Sequence, residues 1–194
     1  MNLIEFYYDY VSPTSYLAYK RLLKMAQARS LKIDYKPVQI GGIFKQSGNS
    51  SPVSVPAKLN WMWDDMSRHA RRHNIPMMKN DHFPLNSVYA MRGALVAKDL
   101  NCLAQYNEVM FRAMWEQGAN ISDIDVMTEV LAQAGLDAKS ILEAVQSDAI
   151  KARLRADTAA AVERGVFGVP TMIVDNELHF GQDRLDFVLE AAER

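Results

Sequence analysis

The sequence predicts an α/β fold in which a βαβ unit opens the chain, a ββα unit closes it, and an all-helical insertion interrupts the two. Three observations predict it. The first forty residues switch from a β-rich run to helical spacing and back. About a hundred residues from Pro56 onward carry helical spacing alone. The last thirty or so return to two short β-rich runs around an Asp-Asn pair, followed by one more helix.

Residues 2–8 read as a strand. Residues 13–29 read as a helix, with Tyr16, Leu17, Tyr19, Leu22, Leu23 and Ala26 at helical spacing. Leu31, Ile33, Tyr35 and Val38 form a second strand that ends near Pro37 and Gly41-Gly42. KQSGNSSPVSVP, Lys45 to Pro56, has turn chemistry and no period, and reads as a long loop of the kind that usually carries function. Helices follow over 57–74, 85–99, 103–117, 123–134, 138–145 and 148–164. Asn86-Ser87, Ser122-Asp123 and Asp137 offer caps, and Gly118 and Gly135 offer stops. The run from Pro170 to Asp175 reads as a strand, Asp175-Asn176 as a turn, and Glu177 to Phe180 as the partner strand. A last helix starts near Asp183.

Neither end has enough strands to be stable alone, so the two must share one sheet. A βαβ unit joined to a ββα unit is the thioredoxin topology. The expected organisation is a discontinuous thioredoxin-like domain over 1–55 and 165–194, with a helical insertion domain over 56–164.

Composition bounds the function. The chain has 194 residues and a formal net charge of −1, which gives no electrostatic footprint for nucleic acid or an anionic membrane. No uncharged run approaches the roughly 18–20 residues that span a bilayer. MNLIEFYYDY carries Glu5 and Asp9 and no basic stretch, so it does not read as a signal peptide. Cys102 is the single cysteine, which points to a reducing cytoplasm.

In the thioredoxin topology a redox enzyme places C-x-x-C where the first strand meets the first long helix, because the helix dipole lowers a thiol pKa there. This chain has Ser12-Pro13-Thr14-Ser15 instead, which excludes disulfide exchange at that place. Ser at the N-cap with Pro at the first helical position is an ordinary helix start, contributing about 1 kcal/mol. The same hydroxyl is also a good donor to a bound anion, such as the thiolate of a cofactor. No histidine stands nearby to make it a nucleophile.

Two further marks follow. In Gly168-Val169-Pro170-Thr171, the proline opens a strand and faces the first helix in this topology; it reads either as a plain edge proline or as a loop whose Val169 backbone pairs with an extended ligand. In Phe180-Gly181-Gln182-Asp183-Arg184-Leu185, Gln182 and Asp183 either cap the last helix or receive the charged ends of a ligand.

YDYVSPTSYLA, the SGN of KQSGNSS, the PAKL of Pro56 to Leu59, VFGVPT and FGQDRLD occur in the order and spacing of one family over essentially the whole chain. The chain resembles the kappa-class glutathione transferases and the bacterial 2-hydroxychromene-2-carboxylate isomerases, and its length is nearer to the isomerases. The resemblance implies a DsbA-like fold, a homodimer, glutathione as cofactor and a role in aromatic catabolism. It implies that Ser12 bonds the glutathione sulfur, that Asn49 and Lys58 close over the tripeptide, that Val169 before Pro170 pairs with the cysteinyl backbone, and that Gln182 and Asp183 hold the γ-glutamyl end.

The implied reaction is reversible thiolate addition to an arylidene-pyruvate, giving cis/trans isomerisation. The substrate carboxylate needs a cation, for which Lys45 and Arg184 are candidates. Its ring needs an apolar wall, for which Trp61, Met62, Trp63, Met77 and Met78 are candidates, unless that cluster is helical core or dimer interface. Two other functions stay open: a kappa-like transferase that conjugates electrophiles or reduces peroxides, and a non-catalytic module that binds an extended peptide along the Pro170 loop. No metal is expected. His69 and His73 have the spacing of a ligand pair, but Ala70 stands where a metalloprotease pattern needs Glu, and Arg68, Arg71 and Arg72 would repel a cation.

Overall fold

The computed structural model describes residues 3–194, so Asn2, the first residue of the expected first strand, lies outside the described residues. Strand β1 (Ile4–Tyr8) leads into helix α1 (Pro13–Ala28), and β2 (Ile33–Pro37) returns alongside it. Helices α2 (Ile40–Ser47), α3 (Pro56–His73), α4 (Val88–Asp99), α5 (Leu103–Trp115), α6 (Ile124–Gln133), α7 (Ala138–Ala144) and α8 (Asp148–Glu163) follow. Strands β3 (Thr171–Val174) and β4 (Glu177–Phe180) and helix α9 (Leu185–Glu193) close the chain.

The two ends share a four-stranded sheet of order β2-β1-β3-β4. β1 runs parallel to β2, with Phe6 opposite Tyr35, and antiparallel to β3, with Phe6 opposite Met172. This is the thioredoxin arrangement with helices inserted between its halves. The β3–β4 hairpin turns on Asp175 and Asn176, both at positive φ (47° and 64°), a conformation that Asp and Asn tolerate better than most residues.

One helix departs from the sequence expectation. The first three residues of the predicted loop Lys45–Pro56 belong to α2, and a single 3-10 turn occupies Pro52–Ser54. The reason is tertiary. Two glycines weaken the helical signal, but Gln39 caps the helix by accepting from the Gly42 N–H, and Ile43 is fully buried with Val38, Ala161 and Val166. Gly42 also lets α2 approach α8 closely, since a Cβ there would lie 3.1 Å from Thr158 Cγ2.

The main core is continuous from the sheet into the inserted helices. Phe6 and Tyr8 stack at 5.2 Å, Tyr10 packs edge-on to Phe111 at 4.9 Å, and Tyr19 stacks on Phe111 at 4.8 Å. The hydroxyls of Tyr8 and Tyr10 both donate to Asn107 Oδ1, at 2.7 and 2.6 Å, and Trp115 Nε1 donates to the Tyr10 carbonyl at 2.8 Å. α5 therefore grips the chain where it leaves β1, two residues before Ser12. No helix among the described residues is long and apolar enough to cross a membrane.

Candidate functional site

Ser12 is the N-cap of α1. Its Oγ accepts from the Ser15 N–H at 3.1 Å, lies 2.9 Å from Thr14 Oγ1 and donates to the Val169 carbonyl at 3.3 Å. The residue is only 5% exposed. Val169 and Pro170 are joined by a cis peptide, and this proline loop lies against the start of α1. Thr14 Oγ1 donates to the same carbonyl at 3.4 Å, so two hydroxyls share one acceptor through long bonds. The Val169 N–H makes no hydrogen bond to protein among the described residues.

Asp9 holds this turn from below. It is fully buried, and its carboxylate accepts from the Val11 N–H at 3.1 Å and the Ile40 N–H at 2.9 Å. Burial pushes its pKa above the usual carboxylate range, against the lowering effect of those hydrogen bonds and of the Ser87 hydroxyl. Val11 and Ile40 are themselves walls of the cleft, so one carboxylate ties the strand exit, the start of α2 and the approach to α4 together.

The cleft at Ser12 has a volume of about 350 Å³. Met62, Phe44, Phe83, Leu85 and Phe180 supply apolar walls, and Ser12, Asn49, Ser50, Ser51 and the Gly168-Val169 backbone supply polar edges. Among the described residues none that lines it is charged. Gly168 leaves room for the Phe180 ring, which would lie 2.9 Å from a Cβ at this position. That ring also packs on Phe167, with centroids 4.6 Å apart.

The structure brings some of the sequence-derived candidates together and leaves others apart. Ser12, Asn49 and Val169 line one cleft, and Pro170 follows Val169 directly. Asn49 Nδ2 donates to the Phe167 carbonyl at 2.8 Å, bracing the loop over the proline turn. Lys45, at the end of α2, and Lys58, in the first turn of α3, are exposed and are not among the cleft-lining residues. Trp61 is 62% exposed. Trp63 packs edge-on to Phe83 at 5.2 Å and so backs a wall without being one. Adjacent helical residues differ by about 100° in direction, so of the three only Met62 faces the cleft. Met77 and Met78 line a separate pocket of about 160 Å³, together with Trp63.

Gln182 is buried, and its backbone and side-chain oxygens accept from Arg21 Nη1 at 2.6 and 3.0 Å. Asp183 is exposed and lies 3.6 Å from Arg184 Nη2. Phe44, Phe83, Leu85, Phe180, Asp9 and Arg21 were absent from the sequence-derived set. Their roles depend on contacts across long stretches of chain, and no local pattern marks them. Burial pushes the Cys102 thiol up, away from reactivity.

A sheet of this order, a helical insertion and a buried serine at the N-terminus of α1 facing a cis-proline loop define a thioredoxin-type domain of the DsbA kind. The DSBA-like thioredoxin domain model matches residues 3–193, and the chain belongs to that family. Among its relatives it is 34% identical to the 2-hydroxychromene-2-carboxylate isomerase of Pseudomonas putida, over 98% of this chain and 93% of that protein. It is 26% identical to the glutathione S-transferase kappa 1 of Rattus norvegicus, over 96% of this chain and 89% of that one. A solved structure of a 2-hydroxychromene-2-carboxylate isomerase superposes with a TM-score of 0.89 at 33% identity, covering 98% of this chain and 94% of the other.

Proposed function

We propose that this protein is a glutathione-dependent isomerase of the 2-hydroxychromene-2-carboxylate type, acting on an arylidene-pyruvate as a cytoplasmic homodimer. The relatives support the isomerase class. The observation that carries the reading is Ser12: a buried hydroxyl at a helix N-terminus, opposite the Val169 backbone, at the edge of an uncharged apolar cleft.

The residues present fit glutathione. Among the described residues the Val169 N–H has no hydrogen-bond partner, and the Ser12 hydroxyl has only the Thr14 hydroxyl and, at 3.3 Å, the Val169 carbonyl as acceptors. Ser12, Asn49, Lys58, Val169, Pro170, Gln182 and Asp183 would hold the tripeptide, and glutathione, when bound, supplies the thiolate nucleophile. Ser12 turns its hydroxyl from the Val169 carbonyl toward the anion, and the α1 dipole adds to that stabilisation. An unperturbed thiol titrates at about 8.5, so a shift of about one to two units suffices at neutral pH. Phe44, Phe83, Leu85 and Met62 orient the ring of the substrate and keep water from it.

The uncharged walls favour a second reading, a kappa-like transferase that conjugates neutral electrophiles or reduces peroxides, since no cation in the cleft meets a substrate carboxylate. Hydroxychromene carboxylates and neutral electrophiles assayed side by side separate the two. Turnover of the carboxylates that falls in Lys45→Ala or Arg184→Ala, with glutathione affinity intact, supports the isomerase and those cations. Turnover of electrophiles alone supports the transferase. Absence of glutathione binding heat sinks both and favours the peptide-binding module.

A further inference from the structure

A wider cleft, of about 740 Å³, lies between α1, α3 and α9 and shares no lining residue with the cleft at Ser12. Arg21 and Lys24 come to it from α1, Arg72 and His73 from α3, and Asp183 and Asp186 from the α9 side. The protein neutralises the cations only in part: Asp183 and Asp186 act on Arg21, and the cleft's basic side chains outnumber its carboxylates. Among the described residues Lys24 and Arg72 make no ion pair, whereas the neighbouring Lys20 is paired with Glu108 at 2.6 Å and Glu116 at 3.1 Å. Arg21 spends Nη1 on the two neutral oxygens of Gln182, which orients the guanidinium without cancelling its charge.

The histidines add to this. His69 and His73 stack one turn apart, with centroids 6.3 Å apart and planes within 11°. His69 Nε2 lies 3.6 Å from Asp65, and its buried Nδ1 has no partner among the described residues. His73 is held below its ordinary pKa by burial and then by Arg21, His69 and Arg72, with Asp186 opposing. A solvated basic face spreads its side chains into water. Here cations from two helices converge on one concavity, where Asp183 and Asp186 relieve the mutual repulsion in part and a bound anion relieves more of it.

We infer that this cleft is a second ligand site, for a small multivalent oxyanion held by Arg21, Lys24 and Arg72, with Asp186 receiving a donor group on the same molecule. Phosphate-bearing and polycarboxylate molecules share that chemistry. Because Asp183 borders this cleft and is also a proposed glutathione contact, the inference is tested without glutathione.

The experiment is calorimetric titration of the full chain with inorganic pyrophosphate and, separately, citrate, at ionic strength fixed with sodium chloride. Saturable binding at one site per chain is expected for at least one probe, and the tighter probe names the chemistry. Arg72→Ala and Lys24→Ala, both exposed side chains, should each weaken it about tenfold while leaving the circular dichroism unchanged. Arg71→Ala, on the same helix but outside this cleft, should leave it within about twofold. No heat with either probe would overturn the inference. So would equal weakening by Arg71→Ala and Arg72→Ala, which would mean a diffuse surface field and no site.

Discussion

Replacing Ser12 by alanine removes one oxygen with two roles. As the N-cap it accepts from the Ser15 N–H at 3.1 Å, and loss of such a cap costs about 1 kcal/mol. In a chain of this size that lowers Tm by roughly 2–4 °C. The second loss appears only with glutathione bound. A hydrogen bond to an ionised group contributes about 1.5–3 kcal/mol. Each pKa unit corresponds to about 1.4 kcal/mol, so the bound thiol should titrate about one to two units higher in Ser12→Ala. If the wild-type thiol titrates near 7, the thiolate fraction at that pH falls roughly fivefold to fiftyfold, and activity falls with it. The assay is an ultraviolet difference titration of glutathione on the protein from about pH 5 to 9, alongside thermal unfolding. Thr14→Ala is the necessary companion, because Thr14 Oγ1 lies 2.9 Å from Ser12 Oγ and is the nearest substitute donor. A folded Ser12→Ala protein with wild-type activity and an unmoved titration refutes the donor role and leaves the serine as a cap.

Three other outcomes follow from contacts around the cleft. The folded state binds the Asp9 proton more tightly than the unfolded chain does, so the stability it contributes is fully present below about pH 3.9 and is lost as pH rises through its raised folded pKa. Asp9→Asn should flatten that part of the pH dependence in chemical denaturation, and parallel profiles for the two proteins would contradict the assignment. Asn107→Ala leaves the buried Tyr8 and Tyr10 hydroxyls without their shared acceptor, at about 1–3 kcal/mol for each group, which a shift in denaturation midpoint reads directly. Gly168→Ala puts a methyl 2.9 Å from Phe180, an overpacking cost of about 1–3 kcal/mol. Because that ring is 41% exposed and can swing outward, the loss should sit at the low end, with a KM for the aromatic substrate changed more than kcat.

Much of this architecture was legible in local patterns. Pro13 at the first helical position, Ser12 before it, and Asp175-Asn176 between two β-rich runs are each decided by a few residues' backbone preferences. α2 was not legible, because its glycines oppose a helix that only burial of Ile43 and the Gln39 cap stabilise. The aromatic candidates show a different limit. Trp61, Met62 and Trp63 look equivalent as a sequence, and helical geometry then turns one to the cleft, one to solvent and one behind Phe83. Gln182 read as a helix cap or a ligand contact, and only the fold brings Arg21 to its two oxygens.

By itself, then, the sequence determined the order of the elements, the shared sheet, and a serine standing where a redox enzyme of this topology carries a thiol. Tertiary structure alone decided what that serine faces. The Val169 carbonyl is 157 residues away along the chain, and it reaches Ser12 because β1 and β3 pair with Glu5 opposite Ile173. Propensity and capping act over a few residues, whereas the cleft draws its walls from five separated segments, whose meeting is set by sheet register and core packing.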